Sequence, residues 1–142
     1  MAEPGTVSET YVAAIQHDLV KLDGATPVGV VRKPTGWFHG VIAENVQELG
    51  PPELLLEEVE TRRDDLAMAG MCDTGAHNAA WEETDFEGRY REYLDSDDTA
   101  RAALNDLRER VRDGEDIALV CFEGDDKRCH RHIIEETIRE EL

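Results

Sequence analysis

The sequence has little positive charge. It contains 33 acidic residues against 15 Lys and Arg, which gives a formal net charge of -18 at pH 7. Nucleic acids and anionic membranes are bound through basic surfaces, so this balance argues against a broad interface with either. The acidic residues recur along the whole chain, and their repulsion is screened at molar salt, where the Debye length is about 3 Å. We therefore expect a halophilic protein with an acidic surface.

Cysteines and long apolar segments are also scarce. The three cysteines are an odd number, and in a chain with 40% hydrophobic residues they argue against a fold held by disulfides. No apolar run is long enough for a transmembrane helix, and the N-terminal residues lack the pattern of a signal peptide. We expect one domain over residues 1–142, located in the cytoplasm and without contact to a membrane.

Strand patterns occur at three places in the chain. Short apolar or β-branched runs bounded by charge predict strands at Pro27–Val31 and Ile117–Phe122. The segment Tyr11–Ile15 fits a short buried strand, but Tyr11, Ile15 and Leu19 also fit a helical stripe. The residues alone leave these two alternatives open.

Helix patterns fill most of the second half of the chain. Apolar residues at helical spacing follow start signals at Pro51-Pro52, at the capping-box pattern Thr84–Glu87, at Ser96–Asp98 and near Cys129. The segment Leu66–Met71 either extends the first of these helices or forms a strand. Residues 35–40 and 72–78 are predicted to be loops. Strands that alternate with helices predict an α/β sandwich with a mainly parallel sheet.

Reactive side chains are concentrated around the last predicted strand. This cluster consists of Cys121, Glu123, Cys129, His130 and Arg131. Cys121 lies at the end of the predicted strand and Glu123 just past it. The other three residues lie in the first turn of the following helix. In parallel sheets ligands bind beyond the carboxyl ends of the strands, and a helix N-terminus favours an anion or a thiolate. The cluster therefore marks a candidate site.

We interpret this site as a cleft for a small anion or a nucleotide. Arg131 and Arg32, which ends the strand at Pro27–Val31, would hold the anion through bidentate hydrogen bonds. His130 would act as a general acid or base because imidazole titrates near neutral pH. Glu123 would orient His130 or Arg131, and either nearby cysteine could act as a nucleophile. Nothing in the sequence indicates a cofactor.

A non-catalytic alternative stays open beside this interpretation. Cys121 could be a small core residue, since free cysteine is among the most buried residue types. Arg131 and Glu123 would then form an ion pair that fixes the last helix to the sheet of an interaction protein. The residues do not decide between the two interpretations.

Three chemically specific sites are disfavoured. A tyrosine-phosphatase-like loop needs an arginine where Lys127 stands, and the intervening loop is acidic. Zinc is disfavoured because the cysteines and histidines lack the usual ligand spacing. Cys121 and Cys129 also lack the tight Cys-x-x-Cys spacing of a redox disulfide. No metal is expected.

The C-terminal motif resembles the signature of the domain of unknown function (DUF) 488 family. The resemblance rests on Cys121-x-Glu123 followed by Cys129-His130-Arg131. Two further features are similar to that family, the segment Val31-Arg32-x-Pro34 and the predicted aromatic helix with Trp81, Phe86 and Tyr90. Together with the acidic charge, this resemblance suggests a member of haloarchaeal type.

The resemblance implies a Rossmann-like α/β fold with a strand, rather than a helix, at Tyr11–Ile15. It supplies no biochemical activity, so substrate, reaction and oligomeric state stay open. It does imply that six residues are neighbours in space, namely Arg32, Cys121, Glu123, Cys129, His130 and Arg131.

Overall fold

Four parallel strands form one sheet in the computed structural model, which describes residues 3–17, 22, 24–32, 40–121 and 127–140. The strands are β1 (Val7–Tyr11), β2 (Thr26–Gly29), β3 (Glu44–Asn45) and β4 (Ile117–Cys121). Their order across the sheet is β1–β4–β2–β3, and every pair is parallel. The expected α/β class with a parallel sheet is confirmed, and the architecture is consistent with a Rossmann-like three-layer sandwich.

Helices account for most of the remaining described residues. They are α1 (Val12–Gln16), α2 (Glu53–Met68), α3 (Asp73–Glu83), α4 (Phe86–Ser96), α5 (Asp98–Arg112) and α6 (His130–Glu140), with a 3-10 turn at Gln47–Leu49. The connection from β3 to β4 therefore carries four consecutive helices. Among the described residues, no helix combines the length and apolar character that a membrane crossing requires.

Strand β4 lies at the centre of the fold. It has β1 on one side and β2 on the other, and all five of its residues are buried. Ile117 and Leu119 belong to the main core with α4, α5 and α6, whereas Val120 and Cys121 belong to a second, smaller cluster. Burial on both faces of the sheet explains why this strand reads as a continuous apolar run.

The strand expected at Tyr11–Ile15 is wrong. The strand runs from Val7 to Tyr11 and pairs with β4, and the next five residues form α1. Strand β1 lies at one edge of the sheet, so Ser8 and Glu9 stay at least partly exposed. These two polar residues interrupt the apolar pattern that a fully buried strand would show. The helical alternative for the segment after Tyr11 was therefore the correct one.

The loop expected at residues 72–78 is also wrong, because α3 occupies this segment. Cys72 caps the helix, and its sulfur accepts the backbone N–H of Gly75 at 3.4 Å. Ala76, His77 and Trp81 are buried on the inner face of the helix. Gly75 and the polar residues around it have weak helix propensity, and packing of the inner face outweighs that preference.

The expected capping box at Thr84–Glu87 does not form. The Thr84 hydroxyl donates to the Ala80 carbonyl at 2.8 Å and so belongs to the end of α3. Asp85 then adopts a left-handed conformation with φ of 50° and links α3 to α4. Aspartate tolerates this conformation better than most residues, which allows so short a connection between two helices.

The other helix signals agree with the structure. Helix α2 follows Pro51-Pro52 and continues through Leu66 to Met68, which excludes a strand there. Asp97 caps α5 by accepting the Ala100 N–H at 3.0 Å. Most of the predicted loop 35–40 lies outside the described residues, as do Leu19, Phe122 and Leu142.

Candidate functional site

The carboxyl ends of β2 and β4 border a cleft of about 280 Å³. Four of the six predicted site residues line it, namely Arg32, Cys121, Cys129 and His130. Helices α2 and α3 supply the opposite wall, which includes Leu56, Val59, Arg63, His77 and Trp81. The position agrees with the rule that open parallel sheets bind ligands beyond the carboxyl ends of their strands.

Cys121 and Cys129 meet at the floor of this cleft. The structure pairs them as a disulfide whose Cα atoms are 7.7 Å apart. Both belong to the smaller apolar cluster, and their exposed fractions are 1% and 3%. Cys121 is thus packed in the core, as the non-catalytic alternative expects, and it also borders the cleft. Cys72 is exposed and free.

His130 is buried beside the cysteines with a defined tautomer. Its Nε2 is hydrogen-bonded to the Val30 carbonyl, which can only accept, so Nε2 carries the hydrogen. Its Nδ1 is therefore an acceptor, and it lies 3.6 Å from the Cys129 sulfur. Burial lowers the pKa of His130 to about 4. The imidazole is neutral at pH 7, which corrects the expectation of a group that titrates near neutrality.

Arg131 lies behind the cysteines and does not line the cleft in the described part of the chain. Its side chain is 0% exposed, and its Nε donates to the Glu9 carboxylate at 3.1 Å. Its Nη1 lies 2.7 Å from the Cys121 sulfur, and its guanidinium lies 5.7 Å from the centre of the Tyr11 ring. Glu9 also contacts His132. Arg131 thus connects α6 to β1 and to the end of β4.

Arg32 lines the cleft and is held by neutral groups. Its guanidinium donates to the carbonyls of Pro51 at 3.1 Å and Gly50 at 2.8 Å, and to the Tyr93 hydroxyl at 3.0 Å. No carboxylate among residues 3–17, 22, 24–32, 40–121 and 127–140 lies within ion-pair distance of it. Its positive charge is therefore fixed in position, and within the described residues it has no direct acidic partner.

Helix α3 holds the segment that precedes α6. His77 Nε2 donates to the Arg128 carbonyl at 2.8 Å, and the Asn78 side chain accepts the Arg128 N–H at 2.9 Å. The Arg128 guanidinium binds Glu82 at 2.7 Å. These contacts come from one face of α3 and fix the entry to α6. They thereby hold Cys129 at the cleft.

Aromatic side chains form part of the cleft wall. Trp81 and Phe86 stack with ring centroids 3.8 Å apart, and both border the cleft. The Tyr90 ring lies edge-on to His130 at 5.6 Å and is fully buried. Phe86 and Tyr90 are thus core residues, as their helical spacing suggests, and Phe86 has one edge in the wall of the cleft.

Sequence reasoning missed several residues of this site. Glu9 gave no signal, because its role depends on the register that places β1 against β4. His77 was considered only as a metal ligand within a loop, and its buried position follows from α3. Glu123 lies outside the described residues. Within those residues, no group of three His, Cys, Asp or Glu side chains is arranged to hold a metal ion.

Fold and site together define a small parallel α/β protein with a Cys/His/Arg cleft at the carboxyl edge of its sheet. A family model described as the active DUF488-N3 subclade matches residues 11–142. The chain therefore belongs to the DUF488 family, and the resemblance of its C-terminal motif is confirmed. No curated protein and no solved structure matches it. Glu9 lies just before the matched residues.

Proposed function

We propose that this DUF488 protein binds a small anionic ligand in the cleft beside the cysteine pair. The observation that carries the proposal is the position of Arg32. Its guanidinium is held by three neutral acceptors and lines the same cleft as Cys121, Cys129 and His130. A guanidinium that is fixed by neutral acceptors, and that has no carboxylate partner in the described part of the chain, is a ready donor for a phosphate or a carboxylate.

The other charges of the cleft restrict how such a ligand would lie. Glu53, Glu57 and Glu60 of α2 border the opposite wall and would repel an anion placed there. The other two arginines that the described residues place in the wall already have acidic partners, since Arg128 is bound to Glu82 and Arg63 to Asp64. The anionic end of the ligand therefore belongs at Arg32, and an uncharged part belongs toward α2 and α3.

The aromatic wall and the volume narrow the class of ligand. Trp81 and Phe86 stack on each other, and the small parts of them that border the cleft make this wall apolar, which suits an uncharged ring. Ligand pockets commonly have volumes of about 300 to 1,000 Å³, and this cleft of about 280 Å³ lies just below that range. A nucleoside monophosphate fits these features better than a dinucleotide. The sequence-based proposal of a nucleotide is thus narrowed to a small one.

Calorimetric titration with AMP, adenosine and inorganic phosphate, each at low and at molar salt, tests the proposal. We expect AMP to bind most tightly, since it supplies both the anion and the ring. Arg32→Gln should weaken AMP binding at least about tenfold, the cost of losing one charge-assisted contact. Arg62→Gln is the matched control, because Arg62 pairs with Glu83 outside the cleft. Absence of binding by all three probes, or equal binding by both variants, would contradict the proposal.

Catalysis at this cleft is part of the same proposal. The matched subclade is described as active, which supports an enzyme without naming its reaction. The two cysteines are the candidate nucleophiles. His130 is a neutral hydrogen-bond acceptor through Nδ1, and it suits the role of orienting a thiol better than that of an acid. Glu123 keeps its proposed role of orienting a neighbouring side chain.

A non-catalytic role is the second candidate, and one observation favours it. Arg131 is completely buried and bonded to Glu9 and Cys121, as a structural ion pair would be. Among the described residues β1 supplies Glu9 as its partner, and Glu123, the partner that the sequence suggested, lies outside them. If the cluster serves only to fix α6 to the sheet, removal of Arg131 lowers stability, and the cleft binds none of the three probes.

We also propose that the chain works at high salt. Its support is the composition, in which 33 acidic residues face 15 basic ones. Repulsion among these charges opposes a compact fold in dilute buffer and is screened as the salt concentration rises.

A further inference from the structure

The two cysteines at the cleft floor have different polar partners. Cys121 lies 2.7 Å from the Arg131 guanidinium, whose other side is bound by Glu9. Cys129 lies 3.6 Å from Nδ1 of His130. One sulfur thus faces a fixed positive charge and the other faces a neutral hydrogen-bond acceptor. Packing alone requires neither arrangement.

We propose that Cys121 and Cys129 form a site of reversible oxidation by hydroperoxides, in which Cys121 reacts first and Cys129 closes the disulfide. The proposal concerns the thiols themselves and does not depend on a ligand in the cleft. Reactive thiols of this type combine a stabilised thiolate with a second cysteine within reach.

Arg131 identifies Cys121 as the first thiol to react. A buried guanidinium beside a sulfur favours the thiolate over the thiol, and the thiolate is the nucleophile. Glu9 on β1 fixes the guanidinium in this orientation through its bond to Nε. Glu9 and Arg131 are therefore positioning residues, since they act on Cys121 and do not line the cleft.

Burial restricts the oxidant to a small molecule. Cys121 and Cys129 are almost fully buried, yet both border the cleft. Hydrogen peroxide is close to water in size and can reach such a sulfur, whereas a bulky disulfide such as oxidised glutathione has much less access. The structure therefore favours peroxide over thiol–disulfide exchange with larger partners.

The two steps balance as follows. The Cys121 thiolate attacks one oxygen of hydrogen peroxide, the O–O bond breaks, and a sulfenic acid and hydroxide form. The Cys129 sulfur then attacks the Cys121 sulfur, the S–O bond breaks, and water leaves with the proton from the Cys129 thiol. The hydroxide takes up the proton that the Cys121 thiol released, so two thiols and one hydrogen peroxide give one disulfide and two waters. A small dithiol reductant regenerates both thiols and is itself oxidised to a disulfide.

Closure of the bond involves the end of β4 and the start of α6. The structure holds Cys121 and Cys129 as a pair, so reduction and reoxidation act at the point where these two segments meet at the floor of the cleft. The His130 Nδ1 acceptor orients the Cys129 S–H for the second step.

A Cys72→Ser background provides the test, because it removes the exposed cysteine and keeps a helix-capping side chain. The reduced protein is treated with one equivalent of hydrogen peroxide at pH 7 and then denatured for thiol counting and mass spectrometry. We expect both thiols to be lost, a mass decrease of two hydrogens, and full recovery with a reductant. Two unreacted thiols in the folded protein would overturn the proposal.

Single variants in the same background assign the order of reaction. With Cys129→Ser, hydrogen peroxide treatment followed by denaturation in the presence of dimedone should trap a sulfenic acid at Cys121, because the second thiol is absent. With Cys121→Ser, Cys129 should react at least about tenfold more slowly, as expected when a thiol lacks a nearby cation. If Cys129 in the Cys121→Ser variant is oxidised faster than Cys121 in the Cys129→Ser variant, the assignment of Cys121 as the first thiol to react is wrong.

Glu9→Gln tests the positioning role while keeping the guanidinium. A neutral amide holds Arg131 less firmly, so Cys121 oxidation should slow several-fold at pH 7. At pH 9 the difference should shrink, because thiols ionise there without help. A purely structural effect of Glu9 would lower the rate equally at both pH values, or not at all, and either result would contradict the positioning role. Circular dichroism verifies that the variant is folded.

Discussion

The two faces of α6 carry ion pairs of the same chemical type in opposite surroundings. On the inner face, Arg131 is wholly buried and binds Glu9 at 3.1 Å. On the outer face, Glu136 has a 59% exposed side chain and binds Arg91 of α4 at 2.8 Å. The shorter of the two contacts is the exposed one. Distance alone therefore does not show which pair matters to the protein.

The difference between the faces is the cost of removing charge from water. A buried ion whose partner is deleted keeps its desolvation cost and loses its compensation. An exposed ion whose partner is deleted is solvated again at little cost. The inner face of α6 should consequently tolerate very little change, and the outer face should tolerate a great deal.

The largest effect is expected at the inner pair. Arg131→Ala should lower the free energy of unfolding by about 3 to 5 kcal/mol, since Glu9 loses its buried partner and a cavity opens. Urea unfolding followed by circular dichroism measures the change. The double variant Glu9→Gln/Arg131→Met should recover part of the loss, because it leaves no unpaired charge. A loss below about 1 kcal/mol for Arg131→Ala would mean that the inner pair behaves like a surface pair.

The same variant separates a redox role of the cysteine pair from a purely structural role of the Arg131 cluster. The oxidation proposal expects Arg131→Ala to impair Cys121 oxidation in protein that is still folded. The structural alternative expects lower stability with unchanged thiol reactivity. Measurement at low temperature without denaturant keeps enough folded protein for the oxidation assay.

A smaller effect is expected from pH, through His130 on the same inner face. Burial lowers the pKa of His130 to about 4, against about 6.5 in the unfolded chain. Between these values the unfolded state binds more protons, so stability falls as the pH decreases. From pH 7.5 to pH 5 this residue should remove about 2 kcal/mol from the free energy of unfolding.

His130→Gln isolates this contribution from that of the many carboxylates. The amide can still donate to the Val30 carbonyl, but it does not titrate. Urea unfolding of both proteins at pH 7.5 and pH 5 should show a weaker pH dependence in the variant. Parallel curves for the two proteins would show that the imidazole keeps an ordinary pKa in the folded state.

The sequence predicted most of the helices but misplaced an edge strand and a buried helix. Strand β4 and the apolar stripe of α5 were clear because burial on one or both faces gives a regular pattern. Strand β1 was misplaced because its pairing with β4 spans more than a hundred residues of chain. Such long-range pairing leaves no local trace, and the alternation of β1 is weak at the sheet edge.

The position of the site was predictable, but the roles of its residues were not. The rule for parallel sheets placed Arg32, Cys121 and Cys129 at one edge of the sheet. That Arg131 turns away from the cleft toward Glu9 depends on the packing of α6 against β1. The burial of His130 likewise depends on the tertiary fold, and this burial causes the low pKa of the imidazole.

The smallest effect is expected at the outer pair. Arg91→Gln and Glu136→Gln should each change stability little, and a double-mutant cycle should give a coupling of about 0.2 to 1 kcal/mol in dilute buffer. In molar salt, where the Debye length is about 3 Å, the coupling should approach zero. The inner pair is buried and should keep its contribution under the same conditions.

Salt should nevertheless stabilise the protein as a whole, because the net charge of -18 repels itself in dilute buffer. Salt has two opposite effects on stability. Screening of the Arg91–Glu136 attraction lowers the free energy of unfolding slightly, and screening of the repulsion among the many acidic residues raises it by more. Urea unfolding of the unmodified protein from dilute buffer to molar potassium chloride measures the second effect. If salt instead lowers the free energy of unfolding, attractive surface ion pairs contribute more to stability than net repulsion costs. The exposed pair on the outer face of α6 could then no longer be treated as unimportant compared with the buried pair on the inner face.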